Sequence, residues 1–340
     1  MSVSTTVPAI PARAKNIAPP VAFQKLDEMK PGETVTALAY GGSKVGKTWL
    51  AGTTGSRTLY ISTGDGIDTI MSPLFRKLVP GFNPTVVDIR EKLNIAGIPD
   101  MGIVAAFDLM CDAIDYALSN FADQFDTVVI DELSATRRHA LFKGLELSQT
   151  LGRSRTWDKT KLYEIILPAG QDFGAEMSLI EQFLTGTISL CERHKKHLLV
   201  LAHQRYLMVT VKDEKGNPIF GEPKRIKEIR PAVTGAQFPD TISALFDNVW
   251  HAEKVGGGDQ GTAYRLRVIG DEGDELTHTT GIVAGTRHAG ILPTIIVNPN
   301  FQEIVEAIKL GQPLMELRKK RGVKATGIST PVVEQPKLPS

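Results

Sequence analysis

The residues best equipped for chemistry lie in one short run, 40–48, which reads YGGSKVGKT. The run fits G-x-x-x-x-G-K-[ST], the phosphate-binding P-loop, and it stands between a strand-like segment and a helix-like one. In such a loop, glycines let backbone N–H groups face phosphate oxygens, and the N-terminus of the following helix adds partial positive charge. We expect Lys47 to reach the β- and γ-phosphates of a nucleotide and Thr48 to place its hydroxyl on Mg²⁺. The predicted phosphate-binding set is Gly41, Gly42, Ser43, Lys44, Val45, Gly46, Lys47 and Thr48.

A carboxylate is expected at the end of a neighbouring strand, because a P-loop site needs one to hold Mg²⁺. Residues 125–130 contain a short, β-branched apolar run, typical of a buried parallel strand, and Asp131 follows it. The alternative for Asp131 is that it only caps the next helix. Glu132 is the favoured group to polarise the attacking water, and Asp65, at the end of another predicted strand, is the rival.

A third strand, 197–202, ends in the polar residues His203, Gln204 and Arg205. An amide in this position can sense a γ-phosphate and pass the signal to the next loop, so Gln204 is a candidate sensor. The alternative is an amide that is hydrogen-bonded to nearby backbone.

The elements that must position these residues alternate between strands and helices. Strands are predicted at 34–40, 57–62, 85–89, 125–130 and 197–202, and helices at 101–121, 133–147 and 175–196. This alternation predicts an α/β fold with a mostly parallel sheet. Two later hairpins, 208–211 with 219–220 and 246–252 with 263–269, are expected to extend it with antiparallel strands. A final helix is expected to start near 299–300 and to stop at Gly311.

Composition sets broad limits on the chain. Its 340 residues are 42% hydrophobic and 23% charged, as in an ordinary globular protein, and the net charge of +1 demands neither nucleic acid nor membrane. The chain has two isolated cysteines, no apolar run of 18 residues and no signal-peptide pattern, so a cytoplasmic location is expected. We predict a disordered arm at 1–22, one folded domain at 23–321 and a disordered tail at 322–340.

The order of these motifs resembles the RecA-like ATPase core. More narrowly, the chain is similar to the phage nucleotide-binding AAA-type ATPases, which include the RecA-like single-strand-annealing recombinases of phages. The likeness covers roughly 30–310 and is carried by 40–48, 129–132 and 201–205. It implies a RecA-like P-loop NTPase fold, ATP and Mg²⁺ as cofactors, and assembly into a homo-oligomeric ring or filament. It also implies single-stranded DNA binding in support of phage DNA recombination, annealing or replication.

In RecA-like proteins the loops after the Asp131-type and Gln204-type strands touch DNA, and both comparable stretches are basic here. Stretch 137–161 holds seven basic residues against two acidic ones, and stretch 205–230 holds seven against four. The candidate DNA contacts are Arg153, Arg155, Arg205, Lys224, Arg225 and Arg230. The alternative is a solvated charged surface. The resemblance also makes Arg287 a candidate finger into a neighbouring subunit's ATP, against the alternative of a plain surface arginine.

Three other functions compete with a DNA-responsive ATPase. A P-loop motor on duplex DNA would need a nuclease or DNA-entry domain, and no acidic nuclease cluster is visible. A small-molecule kinase would need a compact arginine-rich lid, which the hairpin-rich second half does not resemble. A nucleotide-gated scaffold that barely hydrolyses ATP fits the same motifs.

Overall fold

The computed structural model describes residues 34–89, 99–150, 170–211, 219, 224–232, 238–256, 263–271 and 280–322. The strands among them are β1 (Thr36–Gly41), β2 (Thr58–Ser62), β3 (Thr85–Asp88), β4 (Thr127–Asp131), β5 (His197–Val209), β6 (Arg225–Pro231), β7 (Asn248–Val255), β8 (Ala263–Arg267), β9 (Gly281–Ile282), β10 (Gly285–Thr286) and β11 (Ile295–Val297). The helices among them are α1 (Lys47–Gly52), α2 (Gly66–Met71), α3 (Pro73–Leu78), α4 (Pro99–Phe121), α5 (Leu133–Thr150), α6 (Gly170–Arg193), α7 (Phe238–Ala244), α8 (Phe301–Leu310) and α9 (Leu314–Lys320). The predicted arm, 1–22, and nearly all of the predicted tail, 322–340, lie outside the described residues.

The strands form one sheet in the order β11-β8-β7-β1-β5-β4-β2-β3, with β6, β9 and β10 attached beside this path. Neighbours from β3 to β7 run parallel, and β8, β10 and β11 add antiparallel pairs. Strand β5 lies between β1, which leads into the P-loop, and β4, which ends at Asp131. This order confirms the predicted α/β class, with a mostly parallel sheet that antiparallel strands extend.

Both faces of the central strands are buried, which explains their continuous apolar runs. Alternate residues point to opposite faces of a strand. On β5, Leu198 and Val200 join one hydrophobic cluster, while Leu199 and Leu201 join another. Helices α4 and α6 pack in the first cluster, and helices α1, α8 and α9 pack in the second. A sheet covered on two sides holds the carboxyl ends of its strands in fixed register, and the candidate site lies at those ends.

Strand β5 differs from its sequence prediction, because it does not end at 202. It continues to Val209 and pairs antiparallel with β6, from Gln204 opposite Pro231 to Val209 opposite Arg225. We call this two-stranded extension, residues 203–209 with Arg225–Pro231, the β5–β6 ribbon. Of the predicted partner of 208–211, the segment 219–220, only Ile219 lies within the described residues. Its N–H donates to Val211 O at 2.9 Å, and the predicted hairpin stays a prediction.

The base of the ribbon is fixed to the P-loop strand by one hydroxyl. Tyr40, which precedes Gly41 in β1, donates from its hydroxyl towards Ile229 O on β6 (3.1 Å) and Val283 O (2.7 Å). The ring of Tyr40 is fully buried and lies 5.1 Å from the ring of His251, centre to centre.

Two secondary-structure predictions for the last third of the chain, a hairpin and a helix, are confirmed. Strands β7 and β8 form the expected antiparallel hairpin, with Val255 opposite Ala263. The last predicted helix is α8, which Asn300 caps by accepting a hydrogen bond from Glu303 N–H at 3.2 Å. Of the helices in the described ranges, none is long and apolar enough to cross a bilayer.

Candidate nucleotide-binding site

The P-loop leaves β1 at Gly41 and enters α1 at Lys47. Gly46 has φ 94°, and a Cβ added there would lie 2.6 Å from the Tyr264 ring, so this position requires glycine on two grounds. The Lys47 amine donates to Gly41 O at 3.0 Å and to Gly42 O at 2.7 Å. Burial lowers the pKa of Lys47, and the nearby carboxylates of the cleft oppose that shift.

A cleft of about 840 Å³ opens over this loop. It brings together P-loop residues, candidate acids and several residues that the sequence did not single out. Its lining includes Ser43, Lys44, Gly46, Lys47, Thr48, Trp49, Thr63, Asp65, Thr69, Phe75, Asp131, Glu132, Ser134, Arg138, His139, His203 and Tyr264. Of the residues predicted to bind nucleotide and metal, Ser43, Lys44, Gly46, Lys47, Thr48 and Asp131 line this cleft, whereas Gly41, Gly42 and Val45 are not among its lining residues.

Asp131 ends β4 and turns its carboxylate towards the P-loop. Thr48 Oγ1 donates to Asp131 Oδ2 at 3.4 Å, and the Tyr60 hydroxyl donates to the same oxygen. A Cβ at Gly66 would lie 1.9 Å from that oxygen, so a larger residue there would displace the Asp131 carboxylate. Burial raises the pKa of Asp131, while the hydrogen bond from Tyr60 and the charge of Lys47 oppose the rise.

These donors fit the predicted metal. A hydroxyl and a carboxylate are hard oxygen ligands of the kind Mg²⁺ takes, together with waters and substrate phosphates. Among the described residues, no group of three or more His, Cys, Asp or Glu side chains is arranged to hold a metal ion. The metal-binding roles of Thr48 and Asp131 stay predictions, and their 3.4 Å proximity is the observation that favours them.

Glu132 is the better placed of the two candidate bases. Its carboxylate lies 2.8 Å from His203 Nε2, and its backbone N–H donates to Thr63 Oγ1 at 2.9 Å. Burial raises the pKa of Glu132 to about 7, with Asp131 adding to the rise. A carboxylate with a pKa near the working pH suits general-base chemistry. Asp65, the N-cap residue of α2, lines the same cleft, so a single ligand bound in the cleft could contact both Asp65 and Glu132.

Gln204 lies beside the loop rather than among the cleft-lining residues. Its Nε2 lies 3.7 Å from the position a Gly42 Cβ would take, and it donates to the Tyr206 hydroxyl at 2.5 Å. Its Oε1 lies 3.1 Å from His251 Nε2. Burial lowers the pKa of His251 to about 4, so the ring is neutral at pH 7 and donates from Nε2. Tyr206 and His251 therefore hold the Gln204 amide through their side chains. The alternative drawn from the sequence was an amide that is hydrogen-bonded to backbone.

Arg287 lies away from this chain's own cleft. It forms an ion pair with Asp247 at 2.7 Å, and Asp247 accepts from Thr36 Oγ1 at 2.9 Å. Thr36 is the first residue of β1, whereas the P-loop follows the last residue of that strand. Arg287 therefore lies at the amino end of β1, and the P-loop lies at its carboxyl end. The predicted role of Arg287 in a neighbouring subunit's site stays a prediction.

The candidate DNA contacts separate into three groups. Arg153 and Arg155 lie outside the described residues. Arg205, Lys224 and Arg225 lie on or beside the β5–β6 ribbon. Arg230 was wrong as a surface contact: it is 6% exposed and pairs with Glu228 at 3.0 Å. It lies at the root of the ribbon, one residue before the Pro231–Gln204 pair, where the ribbon joins the core.

Sequence reasoning missed the aromatic side of the cleft. The rings of Trp49 and Tyr264 are stacked, with centroids 6.5 Å apart and planes 24° apart. Trp49 also meets Phe75 edge to face, with centroids 5.6 Å apart. Trp49 directly follows the P-loop motif, which was an available signal, but Tyr264 is more than 200 residues away in the sequence.

Comparison with known proteins gives a limited result. No family model matches the chain, and no curated protein matches it. Among solved structures, the flagellar accessory protein FlaH from Methanocaldococcus jannaschii is 10% identical, with 79% of this chain and 86% of that one covered and a TM-score of 0.32. A KaiC-like protein from Pyrococcus horikoshii OT3 is 11% identical, with 71% and 80% covered and a TM-score of 0.34. Similarity at this level carries no functional argument, and the fold class rests on the strand order and the P-loop.

Proposed function

We propose that this chain is a Mg²⁺-dependent ATPase. The observation that carries the proposal is the meeting of Thr48 and the buried Asp131, 3.4 Å apart, in a cleft that also holds Lys47. A lysine, a hydroxyl and a strand-end carboxylate around one P-loop are the parts that bind and orient a nucleoside triphosphate with its metal.

Each side chain has a defined task in hydrolysis. Lys47 and the loop amides would bind the β- and γ-phosphate oxygens, and Thr48 and Asp131 would hold the metal. Bound Mg²⁺ supplies charge neutralisation on those oxygens. Glu132 orients a water for in-line attack on the γ-phosphorus and accepts its proton, while ADP leaves with the bridging oxygen. Gln204, beside Gly42, is placed to contact the γ-phosphate.

The test is ATP turnover by the Lys47→Ala variant. Loss of the amine removes a charge aimed at the phosphates, so we expect turnover to fall by about 100-fold or more. Lys77→Ala, on the exposed side of α3, is the matched control and should keep wild-type turnover. Thermal unfolding of both variants checks that the fold survives. Normal hydrolysis by a folded Lys47→Ala variant overturns the proposal.

The finer part of the proposal is single-stranded DNA as a partner. It is supported by the continuity of β5, which passes from Gln204 at the P-loop into the exposed β5–β6 ribbon. Tyr206 is 49% exposed and Met208 is 44% exposed. Arg205 precedes Tyr206, and Arg225 pairs with Val209 at the far end of the ribbon. Aromatic side chains on a basic surface suit base stacking along a phosphate backbone. A role in phage recombination, annealing or replication, and assembly into rings or filaments, rest on the sequence resemblance alone.

The DNA proposal is tested by the salt dependence of oligonucleotide binding. A backbone-tracking surface gives a falling line of log K against log salt. We expect Tyr206→Ala to weaken single-strand binding about 5- to 50-fold, and Tyr116→Ala, an exposed tyrosine on α4, to change nothing. A flat salt dependence overturns DNA binding, and tighter binding of duplex favours a motor instead. Phosphate transfer to an added small molecule, rather than to water, favours a kinase.

A further inference from the structure

The cleft has two chemically different ends, on opposite sides of the P-loop. The acids come from β4, which lies two strands from β1 across β5, whereas Tyr264 comes from β8, two strands from β1 across β7. Tyr264 pairs with Lys254, two residues beyond the point where β7 leaves Gly41. Tyr264 is therefore at the carboxyl edge of the sheet, above the loop.

The aromatic end is in contact with the phosphate cradle. The Tyr264 ring lies 2.6 Å from the position that a Gly46 Cβ would take, and Trp49 follows Thr48 directly. Both side chains line the cleft and are half-buried, so part of each ring is open to it. A molecule whose phosphates lie on this loop therefore has the rings beside it.

Both rings are held in place by the fold. Trp49 packs edge to face against Phe75, which is 4% exposed. The Tyr264 carbonyl accepts from Asn298 N–H at 2.8 Å, which locks this part of β8 to the segment after β11. The two ring centroids lie 6.5 Å apart, within the 4.5–7 Å range of aromatic pairs, and the ring planes are 24° apart, so the fold presents two near-parallel ring faces beside the loop.

We infer that Trp49 and Tyr264 form the stacking surface for the base of the bound nucleotide, an inference that rests on the proposed nucleotide-binding function. The triphosphate lies along the loop with its γ end at Asp131 and Glu132. Its nucleoside then projects to the other side of the loop, where the two rings are. Flat apolar faces there select a nucleoside triphosphate over a bare polyphosphate.

The experiment compares a probe with a base and a probe without one. Calorimetric titration of the full chain with Mg²⁺ would use a non-hydrolysable ATP analogue and inorganic tripolyphosphate. Base stacking predicts that the analogue binds about 10- to 100-fold tighter. Tyr264→Leu and Trp49→Leu should each cut analogue affinity roughly 10-fold and leave tripolyphosphate affinity within about twofold. Tyr264→Phe and Trp49→Phe keep an aromatic face and should bind the analogue as the wild type does.

Other outcomes separate this inference from the proposed function. If wild type binds neither probe, nucleotide binding itself fails, and the stacking surface fails with it. If wild type binds both probes equally, or the leucine variants bind the analogue normally, only the stacking surface is overturned. Equal loss of both probes in the leucine variants assigns the rings to loop packing and also overturns it.

Discussion

The two halves of β5 show how one strand serves a core and a surface. From His197 to Ala202 every residue is buried, because β1 and β4 flank the strand and helices cover both faces. From His203 to Val209 none is fully buried, and exposure alternates from Arg205 onward, because β6 is the strand that pairs with 204–209. Gln204 lies near the boundary. The difference shows that the neighbouring strands and helices, rather than local sequence alone, decide whether a part of a strand is buried or exposed. The candidate sensor Gln204 lies where β5 passes from the buried to the exposed half.

The largest expected contrast is in folding stability. Leu199→Ala removes a fully buried side chain from the core half, and we expect a loss of about 2–5 kcal/mol in the free energy of unfolding. Met208→Ala, in the exposed half, should change it by no more than about 0.5 kcal/mol. Denaturant unfolding measures both. Equal losses would mean that the ribbon is packed against something in solution and would break the comparison.

The second contrast is in pH dependence. Burial, helped by the charge of Lys309, lowers the pKa of His197 from 6.5 to about 4. The unfolded chain therefore binds the extra proton between those values. Stability from neutral His197 is complete above pH 6.5 and is lost as pH falls through about 4, by up to ~3 kcal/mol.

Unfolding free energies of His197→Asn between pH 4 and 7 test this. The amide oxygen of Asn can still accept from Val35 N–H, as His197 Nδ1 does, but it does not titrate. We expect a flatter pH profile than in wild type. His203→Asn, in the exposed half, should change the profile less, because the His203 side chain is 38% exposed. An unchanged slope in His197→Asn contradicts the assignment.

At Gln204, near the boundary between the two halves of β5, we expect little effect on stability and a clear effect on ATP turnover. Gln204→Ala removes the amide beside Gly42, and we expect ATP turnover to fall about 10- to 100-fold with unfolding stability nearly unchanged. Gln204→Glu keeps the size of the side chain but removes the N–H donor, so we expect its ATP turnover to fall as far as that of Gln204→Ala. Steady-state turnover with and without single-stranded DNA measures both. Full turnover in both variants would show that Gln204 only supports Tyr206 and His251.

Local patterns were enough to predict the core of this molecule, because each signal lies within a few residues. The P-loop, the apolar run before Asp131 and the helix that Asn300 caps are of this kind. The β5–β6 pairing depends on residues about twenty positions apart, with a register shift between Leu207 and Met208 that no propensity encodes. The contact of Tyr264 with Gly46 requires the whole sheet order, so no local pattern could reveal it.

The Tyr40 hydroxyl has a mechanical consequence. It joins the P-loop strand to Ile229 at the root of the β5–β6 ribbon, so the ribbon behaves as a cantilever clamped at that point. Ile229 pairs with Tyr206, so the free length of β5 beyond the clamp is 207–209, or about 10 Å at about 3.3 Å per residue. A load applied at the free end produces its greatest bending moment at the clamp. That load is therefore borne next to the residue from which the phosphate-binding loop departs.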